Sequence, residues 1–174
     1  MEKFNVIREI KELKNQLSYS KNIGFFFGAG TSTALGIPNI SNLTDIIEKA
    51  LEGDLLKNFQ NIKKDLGTLL DRNVNIEDIL NQTRRIREIT SEREEKNYLE
   101  INGKSAKELD VKICKMIYEI ISEKEKVANL QNTMKFLAWL NMQNRDFSKE
   151  IYTSNYDMII EKSLEKNSNV ITFN

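Results

Sequence analysis

The sequence contains no histidine, one cysteine, one proline and seven glycines among 174 residues. Without histidine, the commonest general base near neutral pH is missing from the chain. A single cysteine excludes an internal disulfide and any zinc site built on clustered cysteines. Charge of one sign is missing too. The 26 basic and 26 acidic side chains cancel, which leaves no global field to draw in nucleic acid directly or an anionic membrane surface. No run of about 18 apolar residues occurs, so no segment is expected to span a membrane. The N-terminus "MEKFNVIREIKELKN" interleaves charge with apolar residues and lacks the core of a signal peptide. A cytoplasmic protein without metal is the expectation. Cys114 falls in an apolar helical pattern and is expected to be a buried structural thiol.

What is present is mostly helical periodicity. Phe4, Ile7, Ile10, Leu13 and Leu17 recur at spacings of three and four, which predicts an amphipathic helix. "SNLTDIIEKAL" starts a second helix, with Ser41 expected as its cap. From residue 54 to 143 the text is helical and highly charged, with one apolar face in each of three successive stretches. Asn102-Gly103, within "NYLEINGKSA", suits either a hairpin turn or a helix break.

Strand signals lie only towards the two ends. "NIGFFF" is a short apolar run bounded by glycine, as expected of a strand buried on both faces. It stops at "GAGTSTALGIP", small residues that open a short helix ending at Gly36, ahead of Pro38. "KEIYTSNYD" reads as a strand and a loop, "DMIIEKSLEKN" as a helix and "NVITFN" as a further strand. Strand, loop and helix recurring in this order predict a parallel sheet with crossovers and a large helical insertion, residues 54–143, inside a single domain over 1–174. In such sheets ligands sit where the loops leave the carboxyl ends of strands.

Both of those loops carry candidate chemistry. Gly28, Ala29 and Gly30 let the backbone approach a ligand, and Thr31 and Ser32 add hydroxyl groups at a helix start suited to phosphate. The pattern is neither a GxxxxGK[ST] loop nor a full GxGxxG. Asn155 and Asp157 flank one residue in the second loop and can point the same way. Taken alone, the first loop also suits a purely structural turn, and Asn155 or Asp157 also suits a helix cap.

Together the two loops resemble the sirtuin superfamily. The matching residues are Gly28, Ala29, Gly30 and Ser32, then Gly36, Ile37 and Pro38, then Thr153, Asn155 and Asp157. The likeness covers about twenty residues in two blocks. It implies a Rossmann-like fold that takes NAD, with the first loop at the diphosphate, Asn155 by the nicotinamide ribose and Asp157 at the carboxamide. Protein-deacylating members continue Gly-Ile-Pro with Asp-Phe-Arg and carry four zinc cysteines; here Asn39-Ile40-Ser41 follows, and Cys114 stands alone. The helical middle and Tyr156 are instead similar to bacterial antiphage sirtuin-like domains that hydrolyse NAD to ADP-ribose and nicotinamide. That branch implies further domains or subunits of a defence complex, and a homo-oligomer. The family's base is a histidine a few tens of residues past the Asn-x-Asp strand, whereas Asn174 stands 19 residues after Asn155. The expectation is a chain truncated at its C-terminus, with an incomplete sheet, its histidine beyond residue 174 and no activity by itself. The alternatives are a nucleotide sensor that gates an attached effector, a degenerate inactive protein and, against the cysteine count, a protein deacylase.

Overall fold

Short strands flank a long helical stretch in a computed structural model that describes residues 5–19, 24–142 and 149–166. In chain order the elements are α1 (Val6–Tyr19), β1 (Gly24–Phe27), α2 (Ala29–Thr33) and α3 (Ile40–Ala50). Then come α4 (Gly53–Leu69), α5 (Ile76–Thr90), β2 (Asn97–Tyr98), β3 (Ile101–Asn102) and α6 (Gly103–Val127). Last are α7 (Gln131–Met142), β4 (Glu150–Thr153) and α8 (Ile159–Lys166). This is an α/β chain, mostly helical, with one small parallel sheet. The strand expected in "NVITFN" lies outside the described residues, as do Phe4 and the side chain of Leu17. The chain divides into two compact units, residues 32–128 and residues 1–31 with 129–174. The 54–143 stretch is therefore shared out: α4 to α6 belong to the first unit and α7 to the second.

The 32–128 unit is a helical assembly around one apolar core. Leu43, Ile47, Phe59, Ile62, Ile79 and Ile113 are all buried to within 1%. Each comes from the apolar stripe of its own helix, so burial follows the 3.6-residue period. The starts of α3, α5 and α6 are set by asparagines. Asn39 Oδ1 accepts from Asn42 N–H at 2.9 Å and caps α3, in place of the expected Ser41, which lies inside the first turn. The apolar pattern locates the helix but leaves the cap uncertain by a residue or two. Asn75 Oδ1 accepts from Glu77 and Asp78 N–H while Asp78 Oδ2 accepts from Asn75 N–H, a reciprocal capping box on α5. Asn102 Oδ1 accepts from Ser105 N–H at 2.8 Å and caps α6.

Asn102-Gly103 is thus the entry to a helix. The hairpin β2–β3 turns three residues earlier, at Leu99 and Glu100, with φ of 53° and 61°. Gly103 is required for another reason. A Cβ there would lie 2.5 Å from both Arg93 N and Thr90 Oγ1, where the chain leaving α5 passes against the start of α6. Thr44 joins two helices of the same unit: its hydroxyl donates to Ile40 O at 2.7 Å and accepts from the buried Ile76 N–H at 2.9 Å.

In the other unit β1 and β4 run parallel, with Phe25 opposite Ile151 and Phe26 opposite Tyr152. The ladder continues one step past the strands, where Ser154 N–H donates to Phe27 O at 3.3 Å. Helix α7 covers one face through Phe136, edge-on to Phe25 and Phe27 at centroid distances of 5.4 and 5.7 Å. The other face differs from expectation: Phe26 is 71% exposed and its partner Tyr152 54% exposed. Alternation along the strand separates these side chains from Phe25 and Phe27, and no described segment covers them. A run of three phenylalanines does not reveal which sheet faces have neighbours. Helix α7 also packs on α8, where Leu137, Leu140, Ile159 and Ile160 are buried. The apolar residues of α1, Val6, Ile7, Ile10 and Leu13, are exposed.

Candidate functional site

The site is assembled at the carboxyl ends of β1 and β4. Because these strands are parallel neighbours in register, the loops after Phe27 and after Thr153 leave the sheet side by side. Helix α2 begins one residue after Gly28, and Thr31 N–H donates to Gly28 O at 3.1 Å, closing its first turn. The Thr31 hydroxyl donates to the same carbonyl at 2.7 Å. From the second loop, Asn155 Nδ2 donates to Gly28 O at 3.2 Å and to Thr31 Oγ1 at 3.4 Å. Side chains more than a hundred positions apart thus meet on one carbonyl. Asn155 is itself half-buried, and its N–H donates to Thr153 Oγ1 at 3.1 Å.

The glycines leave room there. A Cβ on Gly30 would meet no protein atom within 4 Å, and one on Gly28 would meet only a ring carbon of Phe26, at 3.9 Å. Space beside an exposed small-residue loop is what a ligand lying against backbone requires. Asp157 is buried, and its Oδ1 accepts from Ile159 N–H at 3.2 Å, anchoring the start of α8. A carboxylate has about four acceptor positions, so this contact leaves capacity for a ligand donor. Ala29 is exposed within α2.

The remaining predicted residues belong to the 32–128 unit. Ser32 is buried, and its carbonyl accepts from Leu35 and Ile37 N–H, so the chain closes tightly after α2. Gly36 has φ of +85°, a backbone conformation costly for any other common residue except asparagine or aspartate, and Ile37 is buried beside a half-buried Pro38. The Gly-Ile-Pro block is in this respect a turn. The structure brings together Gly28, Thr31 and Asn155, and it gives Asp157 a local backbone partner.

One polar cluster escaped sequence reasoning because its members lie on separate helices. Buried Asp110 on α6 accepts from Arg84 Nε at 3.3 Å and from Arg87, both on α5, while Arg87 and Lys107 also pair with Glu92. Spacings of three within α5 and α6 place these groups on facing stripes, but no single-helix pattern reveals the pairing. An open depression lined by Arg84, Arg87, Glu88, Ser91 and Glu92 lies over it. Its arginines already face carboxylates, so it carries no surplus positive charge for an anion. Cys114 joins this cluster and is exposed, not buried as expected. Its thiol lies 3.5 Å from Asp110 Oδ1 and from an Arg84 nitrogen. Partial desolvation and the Asp110 charge push the thiol up from its ordinary value, away from thiolate chemistry.

Among the described residues no three His, Cys, Asp or Glu side chains stand together as a metal site, and no helix is long and apolar enough to cross a membrane. The geometry therefore defines a small parallel α/β unit with a glycine-lined loop site. No protein-family model and no curated protein matches the sequence.

Proposed function

We propose that the chain is a sirtuin-like, Rossmann-like NAD-binding domain, part of a cytoplasmic bacterial antiphage protein that hydrolyses NAD to ADP-ribose and nicotinamide. The observation that carries this reading is the Asn155 Nδ2 to Gly28 O hydrogen bond, 3.2 Å long across 127 positions of sequence. It joins the two motif blocks at the carboxyl ends of adjacent parallel strands. The Gly28–Ser32 loop would lie at the diphosphate, with no Cβ at Gly30 to obstruct it. Asn155 would lie at the nicotinamide ribose, and Asp157 would use its remaining acceptor positions for the carboxamide. Cleavage of the bond to a cationic nicotinamide passes through an oxocarbenium-like state, which calls for positioning and a held water more than for a strong nucleophile. The reading includes no metal, and it places the domain among further domains or subunits of a homo-oligomeric defence complex.

The test is Asn155→Ala in the complete protein, with nicotinamide release as the readout. Loss of one preorganised contact should lower turnover by about a hundredfold or more at an unchanged melting temperature. Wild-type turnover in that variant would reject the reading. The second reading is an NAD sensor that gates an attached effector without catalysis, and a complete protein lacking a histidine base would favour it. Calorimetric binding of NAD by the complete wild-type protein, with no nicotinamide released, would establish it.

A further inference from the structure

We infer that α1 is an interface between two copies of this chain, joined along it as a parallel, two-stranded coiled coil. Residues 6–16 are all exposed, and the large apolar ones, Val6, Ile7, Ile10 and Leu13, are 55–68% exposed. The start of the helix and its outer charges are satisfied locally. Asn5 Oδ1 accepts from Ile7 and Arg8 N–H at 3.1 and 3.2 Å, and Arg8 Nε donates to Glu12 Oε1 at 3.2 Å. The apolar stripe is not satisfied in this way. A helix of 14 residues draws little stability in water from its own hydrogen bonds and most of it from a packed apolar face.

The stripe carries its own register. Val6, Ile10 and Leu13 are spaced four and then three apart, and Leu17 continues the pattern in sequence. That is the d-a-d-a repeat of a coiled-coil seam. Ile10 falls at a and Leu13 at d, the combination that favours two parallel strands. Ile7, at e, widens the seam. In the same register Glu9 falls at g and Lys14 at the following e. In a parallel pair a g residue faces the e residue five positions on in the other strand. Glu9 of each copy would thus face the partner's Lys14, and the two-fold axis makes the contact twice. An antiparallel pair would set g against g and e against e, which brings no opposite charges together. Arg8 and Glu12, at f and c, pair with each other on the side away from the seam. A stripe that matches itself in both shape and charge commits the surface to a second copy. The pairing stands independently of the NAD reading, to whose homo-oligomer it gives a surface and a direction.

The experiment is sedimentation equilibrium of the intact protein, joined to oxidative cross-linking of Val6→Cys in a Cys114→Ser background. Two heptads make a short seam, so the wild type should pass from monomer to dimer with a dissociation constant on the order of 100 µM. Ile10→Asp, which puts a charge in the seam at an exposed position, should weaken the association by about a hundredfold. Glu9→Lys should weaken it roughly three- to tenfold at low salt, and less at high salt. Glu9→Lys combined with Lys14→Glu reverses the pair and should restore the wild-type constant. These charge variants keep good helix formers at both positions, so their effect does not come from loss of the helix. The thiol at position 6 should form a disulfide between copies, because a parallel seam sets d against d. A wild type that stays monomeric at about 1 mM, or an association undiminished in Ile10→Asp, would overturn the proposal. A double variant no tighter than Glu9→Lys, or no disulfide through position 6, would overturn the parallel register.

Discussion

The two units use the same materials to different ends. The 32–128 unit is satisfied internally: its apolar stripes meet in one core, its helices α3, α5 and α6 are capped by asparagines, and its buried hydroxyl at Thr44 both donates and accepts. Both units expose some large apolar side chains, Leu69, Tyr118 and Val127 among them in the first; the unit holding β1 and β4 has them on the Phe26–Tyr152 sheet face and along α1. Of its motif residues, Gly28, Thr31, Thr153 and Asn155 are joined by hydrogen bonds at the carboxyl ends of β1 and β4. Stability and candidate chemistry are thus drawn from different stretches of the chain, as expected when a site is carried by loops on a scaffold. It follows that substitutions in the first unit should be read out in folding, and substitutions at the loops in ligand binding.

The sharpest way to break that contrast is Gly103→Ala. Its methyl group would enter space held by backbone, and overpacking of this kind costs about 3 kcal/mol. Chemical denaturation should show the loss, and a midpoint within error of wild type would show that the chain leaving α5 can yield. Thr44→Val comes next. It keeps the shape but leaves the buried Ile76 N–H without its acceptor, a loss of about 2 kcal/mol in the same measurement.

Gly30→Val sharpens the comparison from the other side. No protein atom lies within 4 Å of a Cβ there, so the melting temperature should barely move. NAD affinity by calorimetry should nonetheless fall by roughly tenfold or more, because the added carbons occupy space needed at the loop backbone. Equal affinity would remove the diphosphate from that position.

The smallest expected effect is electrostatic. Hydrogen bonds from the Arg72 guanidinium hold the Asp78 carboxyl below its ordinary value. A carboxylate depressed in the folded state stabilises above its unfolded value of about 4, and the contribution is lost as the pH falls through the folded value. Acid titration of Arg72→Ala should therefore show unfolding at a slightly higher pH than in wild type. Because Arg72 is largely in water, the shift should be small and should shrink with added salt. Coincident acid transitions at low salt would show that the pair contributes nothing.

Local grammar was legible where the information is local. The helices from α4 to α7, the strand before Gly-Ala-Gly and the loop after Thr153 follow from periodicity and breakers. The errors share one physical origin. Ser41 and Asn39 both suit a cap, and the choice depends on where the first turn closes. Asn102-Gly103 left a turn or a helix break open, and only the segment after α5, which passes within 3 Å of where a Gly103 side chain would be, shows why glycine stands at the start of α6. Cys114 lies in an apolar helical pattern but is exposed and faces Arg84 and Asp110.

The order of residues by itself determined the helical stretches, the placement of two small-residue loops at strand ends, and the absence of histidine and clustered cysteine. These depend on side-chain type and on neighbours a few positions away. Only the tertiary structure decided that Asn155 meets Gly28 and Thr31, that Asp157 is buried, and that Phe26 and Tyr152 share an exposed face. Hydrogen bonding across more than a hundred positions, and burial against another segment, depend on which other parts of the chain arrive in the same place. No local pattern encodes that arrival; the parallel register of β1 and β4 does.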